Sequence, residues 1–152
     1  MPKVVANHVA TAENSIFFEL GGNALIYSIN YDRLLDPHWS LRAGIGYMGL
    51  GTTDAGLDAS LTIIPITASY CPYSEVGGIP NSKLELGAGI CYFNMSASTF
   101  GDSFNGSGVA GTLIVGYRYQ QPDGGFLFRA GFTPLIGGFF IPMFGLSAGV
   151  SF

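Results

Sequence analysis

The sequence predicts an all-β fold, an eight-stranded antiparallel up-and-down transmembrane β-barrel, and three observations lead to it. First, apolar and polar residues alternate with a period of two, the mark of strands with two unlike faces. Residues 112–134 show this best. Leu113, Val115, Tyr117 and Tyr119 alternate with Thr112, Ile114, Gly116, Arg118 and Gln120. After Pro122-Asp123-Gly124-Gly125, a strong turn sequence, Phe126, Phe128, Ala130, Phe132 and Pro134 alternate with Leu127, Arg129, Gly131 and Thr133. Second, only 11% of residues are charged, against about 25% in soluble domains. That is too few to clothe the outside of a sheet, so the apolar face is expected to meet lipid and the polar face a lumen. Third, the uncharged stretch 130–152 contains Pro134, Gly137-Gly138 and Pro142, which break a helix interior. Strands can cross lipid instead, provided the barrel closes and every backbone group is paired.

In order along the chain, residues 1–14 are polar and aperiodic, a flexible N-terminal arm before a barrel domain over 15–152. They lack the charged and apolar regions of a secretory signal, so a signal peptide is expected to have been removed. The first strand covers about 15–21, with Ile16, Phe18 and Leu20 outward and Phe17 and Glu19 inward. Gly21-Gly22-Asn23 turns into a second strand, 24–34, with Leu25, Tyr27, Ile29 and Tyr31 outward and Ser28, Asn30 and Asp32 inward. Asp36-Pro37-His38-Trp39 leads to the third strand, 40–49, whose Arg42, Gly44 and Gly46 point inward. Residues 50–57 read as a loop. The fourth strand, 60–70, carries Pro65 in its interior, where a bulge would accommodate it.

After a turn region at 71–81, the fifth strand, 82–93, sends Leu84, Leu86, Ala88, Ile90 and Tyr92 outward. Its inward residues are Lys83, Glu85, Gly87, Gly89 and Cys91. The Ser/Asn/Gly-rich stretch 94–108 reads as the longest loop. Strands six and seven are the hairpin above, 135–143 is an apolar loop, and a last strand covers 145–152. An even strand number puts both termini at one end, the periplasmic one, with turns 35–39, 71–81 and 121–124. Loops 21–23, 50–59, 94–108 and 135–144 lie at the outer end.

The inward charges Glu19, Asp32, Arg42, Lys83, Glu85, Arg118 and Arg129 are the candidate site. An eight-stranded barrel is just wide enough for side chains to fill, so these charges are expected to pair as a plug; an ion or proton path is the alternative. Glu85–Arg118 and Asp32–Arg42 are the expected contacts, with Arg129 joining one of them. The net charge of −4 and the absence of a basic patch speak against nucleic acid. Cys71 and Cys91 have no metal-ligand spacing and fall at opposite ends of adjacent strands. They are too far apart for the Cα separation of under about 7 Å that a disulfide needs. No cofactor or metal is expected. His8 lies in the arm and His38 in a turn, so no general base stands beside a nucleophile and enzymatic function is not expected.

The closing residues Gly145-Leu146-Ser147-Ala148-Gly149-Val150-Ser151-Phe152 resemble the C-terminal insertion signal of bacterial outer-membrane barrels, with Leu146, Val150 and Phe152 on its apolar face. In size the chain resembles small eight-stranded outer-membrane barrels of the OmpA/OmpX type. Segments 14–34, 84–92 and 116–135 are similar to uncharacterised Bacteroidota barrels. The resemblance implies a Gram-negative outer-membrane location and assembly by the outer-membrane insertion machinery, with the lipid bilayer as surroundings; it implies no activity. The expectation is a structural or accessory membrane protein with a filled lumen, which binds a protein partner through its outer loops or its wall. The alternative is a narrow channel for ions or small solutes. A lipid-modifying enzyme comes third.

Overall fold

A computed structural model describes residues 11–52, 56–72 and 75–152. Eight strands make up the barrel: β1 Asn14–Gly21, β2 Tyr27–Leu34, β3 Trp39–Thr52, β4 Leu57–Tyr70, β5 Ser82–Thr99 and β6 Asp102–Gln120. Each of the last two strands consists of two stretches, β7 of Gly125–Phe132 and Leu135–Ile136, and β8 of Phe140–Ile141 and Phe144–Ser151. The two stretches share one register on either side of the break, Phe132↔Phe144 and Leu135↔Ile141. Pro134 and Pro142 lie between them; lacking an N–H, they interrupt the ladder without shifting it.

Every strand pairs antiparallel with its chain neighbours. β1 closes the ring on β8 through Phe18↔Ala148. Closure pairs the backbone around the ring and leaves no edge there. The two ends of the chain meet beside β1, where Asn14 and Phe152 exchange backbone hydrogen bonds of 3.0 and 2.8 Å. Most of the expected arm, 1–10, lies outside the described residues. Beyond it, Thr11 and Ala12 donate to the Pro122 carbonyl, each at 3.0 Å, and Asn14 opens β1.

The faces follow the alternation. Ile16, Phe18, Leu20, Ile29, Tyr31, Ile45, Ile66, Leu113, Val115 and Phe126 are exposed and form an apolar belt. Phe17, Glu19, Ser28, Asn30, Asp32, Arg42, Thr67, Ser69, Glu85 and Arg118 are buried inside.

Several boundaries differ from the sequence reading. The stretch 94–108 is not a loop: β5 and β6 run through it as a ladder from Ser82↔Tyr119 to Thr99↔Asp102, and only Phe100-Gly101 turns. β3 and β4 likewise continue to Thr52↔Leu57. Ser, Gly and Asn lower strand propensity, yet the alternation persists beneath that composition.

The second strand starts at Tyr27 rather than Ala24. Residues Gly22–Ala24 form a 3-10 turn that folds into the mouth, with Asn23 and Ala24 buried. Leu25, read as outward, takes φ +70° and packs inward instead. Gly21 and Gly22 precede it at φ +69° and +68°, a conformation glycine adopts at little cost. Pro134 is buried rather than exposed. No bulge accompanies Pro65: its strand keeps one register against both neighbours, and only the β3 ladder skips a step.

Candidate functional site in the barrel lumen

Six of the expected inward charges meet in the lumen. Arg42, Arg118 and Arg129 are fully buried or nearly so, as are Glu19, Asp32 and Glu85. Three cations balance three anions, which is what burial of charge requires. Arg42 on β3 reaches past β2 to Glu19 on β1, donating from Nη1 to Oε1 at 3.3 Å and from Nη2 to Oε2. Its Nε donates to Asn30 Oδ1 at 2.9 Å. Arg129 on β7 reaches past β6 to Glu85 on β5, with Nε–Oε2 at 2.9 Å and a second bond from Nη2. Both pairs are fork-to-fork, the strongest form of such a contact.

Arg118 spans the lumen to β2, donating to Asp32 Oδ2 at 2.5 Å, to Ser40 Oγ at 3.1 Å and to Gln120 Oε1 at 2.9 Å. It also stands 3.9 Å from Glu85 and so links two pairs. The expected Glu85–Arg118 contact is therefore present, as the longest of the set. The expected Asp32–Arg42 contact is not. Those two residues are cross-strand partners in register, but each is taken by a different ion.

The reason lies with Arg118, whose register neighbours are Lys83 and Arg129. Like charges directly opposite repel, so Arg118 leans across the lumen to Asp32, and Arg42 turns to Glu19. Lys83 does not join the network. It is half-buried at the terminal end, where Nζ donates to the Pro37 carbonyl at 3.2 Å. Glu19, given no partner in the sequence reading, is central; it also accepts from Ser28 and Ser147 at 3.4 and 3.3 Å.

Phe17 holds the centre of the network. The guanidinium carbons of Arg42 and Arg129 lie 5.1 and 4.8 Å from its ring centroid, within cation–π range. Gly149 makes room for it: a Cβ there would fall 2.4 Å from Phe17 Cβ and 2.1 Å from the Ile16 carbonyl oxygen. The void beside Glu19, Arg42, Glu85, Arg129 and Ser147 is only about 10 Å³, no more than a single water occupies.

Towards the far end the lumen becomes apolar. Ala24, Ile63, Cys91 and Leu135 pack together, with Leu25, Leu61, Phe93 and Ile141 against them. The Asn23 amide oxygen accepts from Thr112 Oγ1 at 3.0 Å and ties the inward turn to β6. Parity places Phe17 inward and could have added Leu135 and Ile63 as fillers; the inward turn has no such signal.

Cys71 and Cys91 are free, as expected, and both are buried. His38 is exposed in the turn before β3. There the backbone N–H groups of His38 and Trp39 donate to Asp36 Oδ1 at 2.7 and 2.8 Å, and they lower the Asp36 pKa. His8 lies outside the described residues. Among the described residues no cluster of His, Cys, Asp or Glu could hold a metal ion. Leu146, Val150 and Phe152 are all exposed on the outer face of the barrel.

No family model and no curated protein matches the sequence. Solved structures do match in fold. The N-terminal β-barrel domain of Pseudomonas aeruginosa OprF aligns over 92% of this chain and 98% of its own, at TM-score 0.62 and 18% identity. The attachment invasion locus protein Ail of Yersinia pestis aligns over 91% of this chain and 94% of its own, at TM-score 0.59 and 13% identity. Neisserial surface protein A aligns over 91% and 92%, at TM-score 0.56 and 16% identity. The ring of eight strands, apolar outside and filled inside, is thus the fold of the small outer-membrane β-barrels.

Proposed function

We propose that this chain is an outer-membrane β-barrel whose lumen is a structural strut rather than a path, and which acts through its outward surfaces as a structural or accessory membrane protein. The observation behind this is the neutral network of Glu19, Asp32, Glu85, Arg42, Arg118 and Arg129 around Phe17, with a void of about 10 Å³. Ions cannot pass without breaking buried pairs, and each stranded charge costs several kcal/mol. The apolar layer beyond it is a second barrier. The exposed belt supports a lipid surround, and the exposure of Leu146, Val150 and Phe152 supports their role as a signal to the insertion machinery. Catalysis has no basis in this reading, since no buried His lies beside a nucleophile among the described residues.

One of the similar structures, Ail, was solved with the heparin analogue sucrose octasulfate. A polyanion does not suit this chain, whose far end carries Asp58 and Asp102 while residues 84–117 contain neither Lys nor Arg. Planar-bilayer recording at low salt tests the proposal: conductance stays at baseline for the intact barrel. Steady single-channel steps would overturn it and favour the narrow channel.

A further inference from the structure

Four strands outgrow the barrel. β3, β4, β5 and β6 have 14, 14, 18 and 19 residues, against eight each in β1 and β2. Their far halves stand up on one side of the mouth as a four-stranded sheet, and there the polarity of the two faces is inverted.

Below the rim the outward face is apolar. Above it, three successive outward rows read Tyr47–Thr62–Asn94–Ser107, Gly49–Ser60–Ser96–Asn105 and Gly51–Asp58–Ser98–Ser103. The lumen-side rows between them carry Leu61, Met95, Leu50 and Phe104. The outward face has thus become the polar one. It continues the lipid-facing wall, so it overlooks the surface of the bilayer from the side. At about 3.4 Å per residue, Ser96 and Ser98 stand about 7 and 14 Å above Asn94.

The two upper rows are not flat. β3 contributes only Gly49 and Gly51 to them, and a hollow of about 360 Å³ lies over this part of the sheet. That is within the roughly 300–1,000 Å³ of small-molecule sites. Tyr47 bounds the hollow below: its hydroxyl lies 3.2 Å from where a Cβ on Gly49 would stand. Asp58 bounds it towards the tip, with Oδ1 2.6 Å from the same point on Gly51. Ser60, Ser96 and Asn105 line it between them. A side chain at either glycine would displace the phenol or the carboxylate.

This lining excludes most classes of ligand. Asp58 is its one carboxylate, a poor cage for a divalent cation. An anion finds no counter-charge, because the single Lys or Arg between Arg42 and Arg118 is Lys83, at the terminal end. A peptide finds no free backbone, because β4 and β5 are laddered on both sides. What the hollow does offer is hydroxyls and an amide, which both donate and accept, one carboxylate and one aromatic ring. An uncharged pyranose, dense in hydroxyls and with a flat C–H face, uses all of them. We infer that the hollow between Tyr47 and Asp58 binds a neutral hexose unit, carried by a soluble oligosaccharide or by the headgroup of a glycolipid. Asp58 accepts from sugar hydroxyls, Ser60, Ser96 and Asn105 exchange hydrogen bonds with others, and the Tyr47 ring covers the C–H face. The inference rests on the reading that the protein acts through its outward surfaces.

The test uses the protein in phosphatidylcholine nanodiscs, which bring no sugar of their own. In one arm maltose, lactose and mannobiose are titrated in turn, with binding read by saturation-transfer NMR. In the other, glucosyl-, galactosyl- or mannosyl-diacylglycerol is built into the disc, and the lipid kept by the released protein is read by mass spectrometry. At least one sugar binds the parent with a Kd of about 1 mM or tighter, or its glycolipid is retained over phosphatidylcholine; the arm that responds identifies the source. Asp58→Ala and Tyr47→Ala, both at exposed positions, each weaken binding by at least about tenfold. Ser107→Ala, on the same face outside the hollow, leaves it unchanged. Gel migration before and after boiling confirms that each variant is a closed barrel. No binding in either arm, or binding indifferent to both Asp58→Ala and Tyr47→Ala, would overturn the inference. Sucrose octasulfate binding tighter than every neutral sugar would overturn it as well, since it assigns the face to anions. Absent binding with baseline conductance rejects only the sugar site, whereas conductance steps reject the function on which it rests.

Discussion

Arg118 shows at the scale of one residue how the lumen chooses partners. Its inward direction follows from parity, because Tyr117 and Tyr119 on either side belong to the belt. Its partner does not follow from parity. Folding neighbouring strands onto one another pairs Arg118 with Glu85 and Arg42 with Asp32, but the ions that bind are two or more strands apart: Arg42 with Glu19, Arg129 with Glu85, Arg118 with Asp32. Repulsion from Lys83 and Arg129 opposite Arg118 decides the exchange, and that is visible only once the register is known. Arg118→Gln strands a fully buried Asp32 and is expected to cost about 3–5 kcal/mol. Asp32→Asn combined with Arg118→Gln is expected to cost less, because no charge is left alone. Urea unfolding in detergent micelles, followed by the fluorescence of Trp39, the one tryptophan, compares them. A double variant less stable than the single one would show that the pair stabilises beyond mutual neutralisation.

At the scale of the element, the faces of β5 were legible and its length was not. Leu84, Leu86, Ala88, Ile90 and Tyr92 alternate cleanly. At Asn94 the outward residue turns polar, and a search for an apolar outer face ends there. The strand goes on to Thr99 because its faces exchange roles at the rim, not because its alternation stops. This places the boundary of the bilayer between Tyr92 and Asn94 on that strand. Ala88→Arg, outward in mid-belt, is therefore expected to cost about 2–4 kcal/mol, and Ser96→Arg, outward above the rim, only about 0–1. Equal costs would put lipid higher on the wall than the polar rows allow. Gly89, inward and adjacent to Ala88, is no neutral control. A Cβ there would stand 2.1 Å from the Ile66 carbonyl oxygen and 2.6 Å from Thr67 Cα, and backbone cannot yield as a side chain can. Gly89→Ala is expected to lower the urea midpoint in the same assay; an unchanged midpoint would mean that β4 and β5 separate there without loss.

At the scale of the molecule, two structures share four strands: a closed ring and a sheet standing on one side of it. The ring was legible because closure, alternation and scarcity of charge all demand the same thing. The standing sheet was not, because Ser, Gly and Asn carry the same composition in a loop as in a solvated strand. The two are held by different contacts. The ring closes through β1–β8 and the lower ladders, around the ion pairs and Phe17. Above Leu61 the described residues of the sheet are held by the ladders among its own four strands. Replacing residues 98–103 by Asn-Gly joins Ala97 to Phe104, already a hydrogen-bonded pair opposite one another, through a turn suited to a two-residue hairpin. The shortened protein is expected to refold from urea into micelles and to keep the shift in gel migration on boiling that a closed barrel shows. Its urea midpoint should stay within a small margin of the parent, because no buried pair and no closing ladder has been touched. Loss of the shift on boiling would mean that the standing sheet is part of what closes the ring, and the division between a structural ring and a surface for partners would then fail.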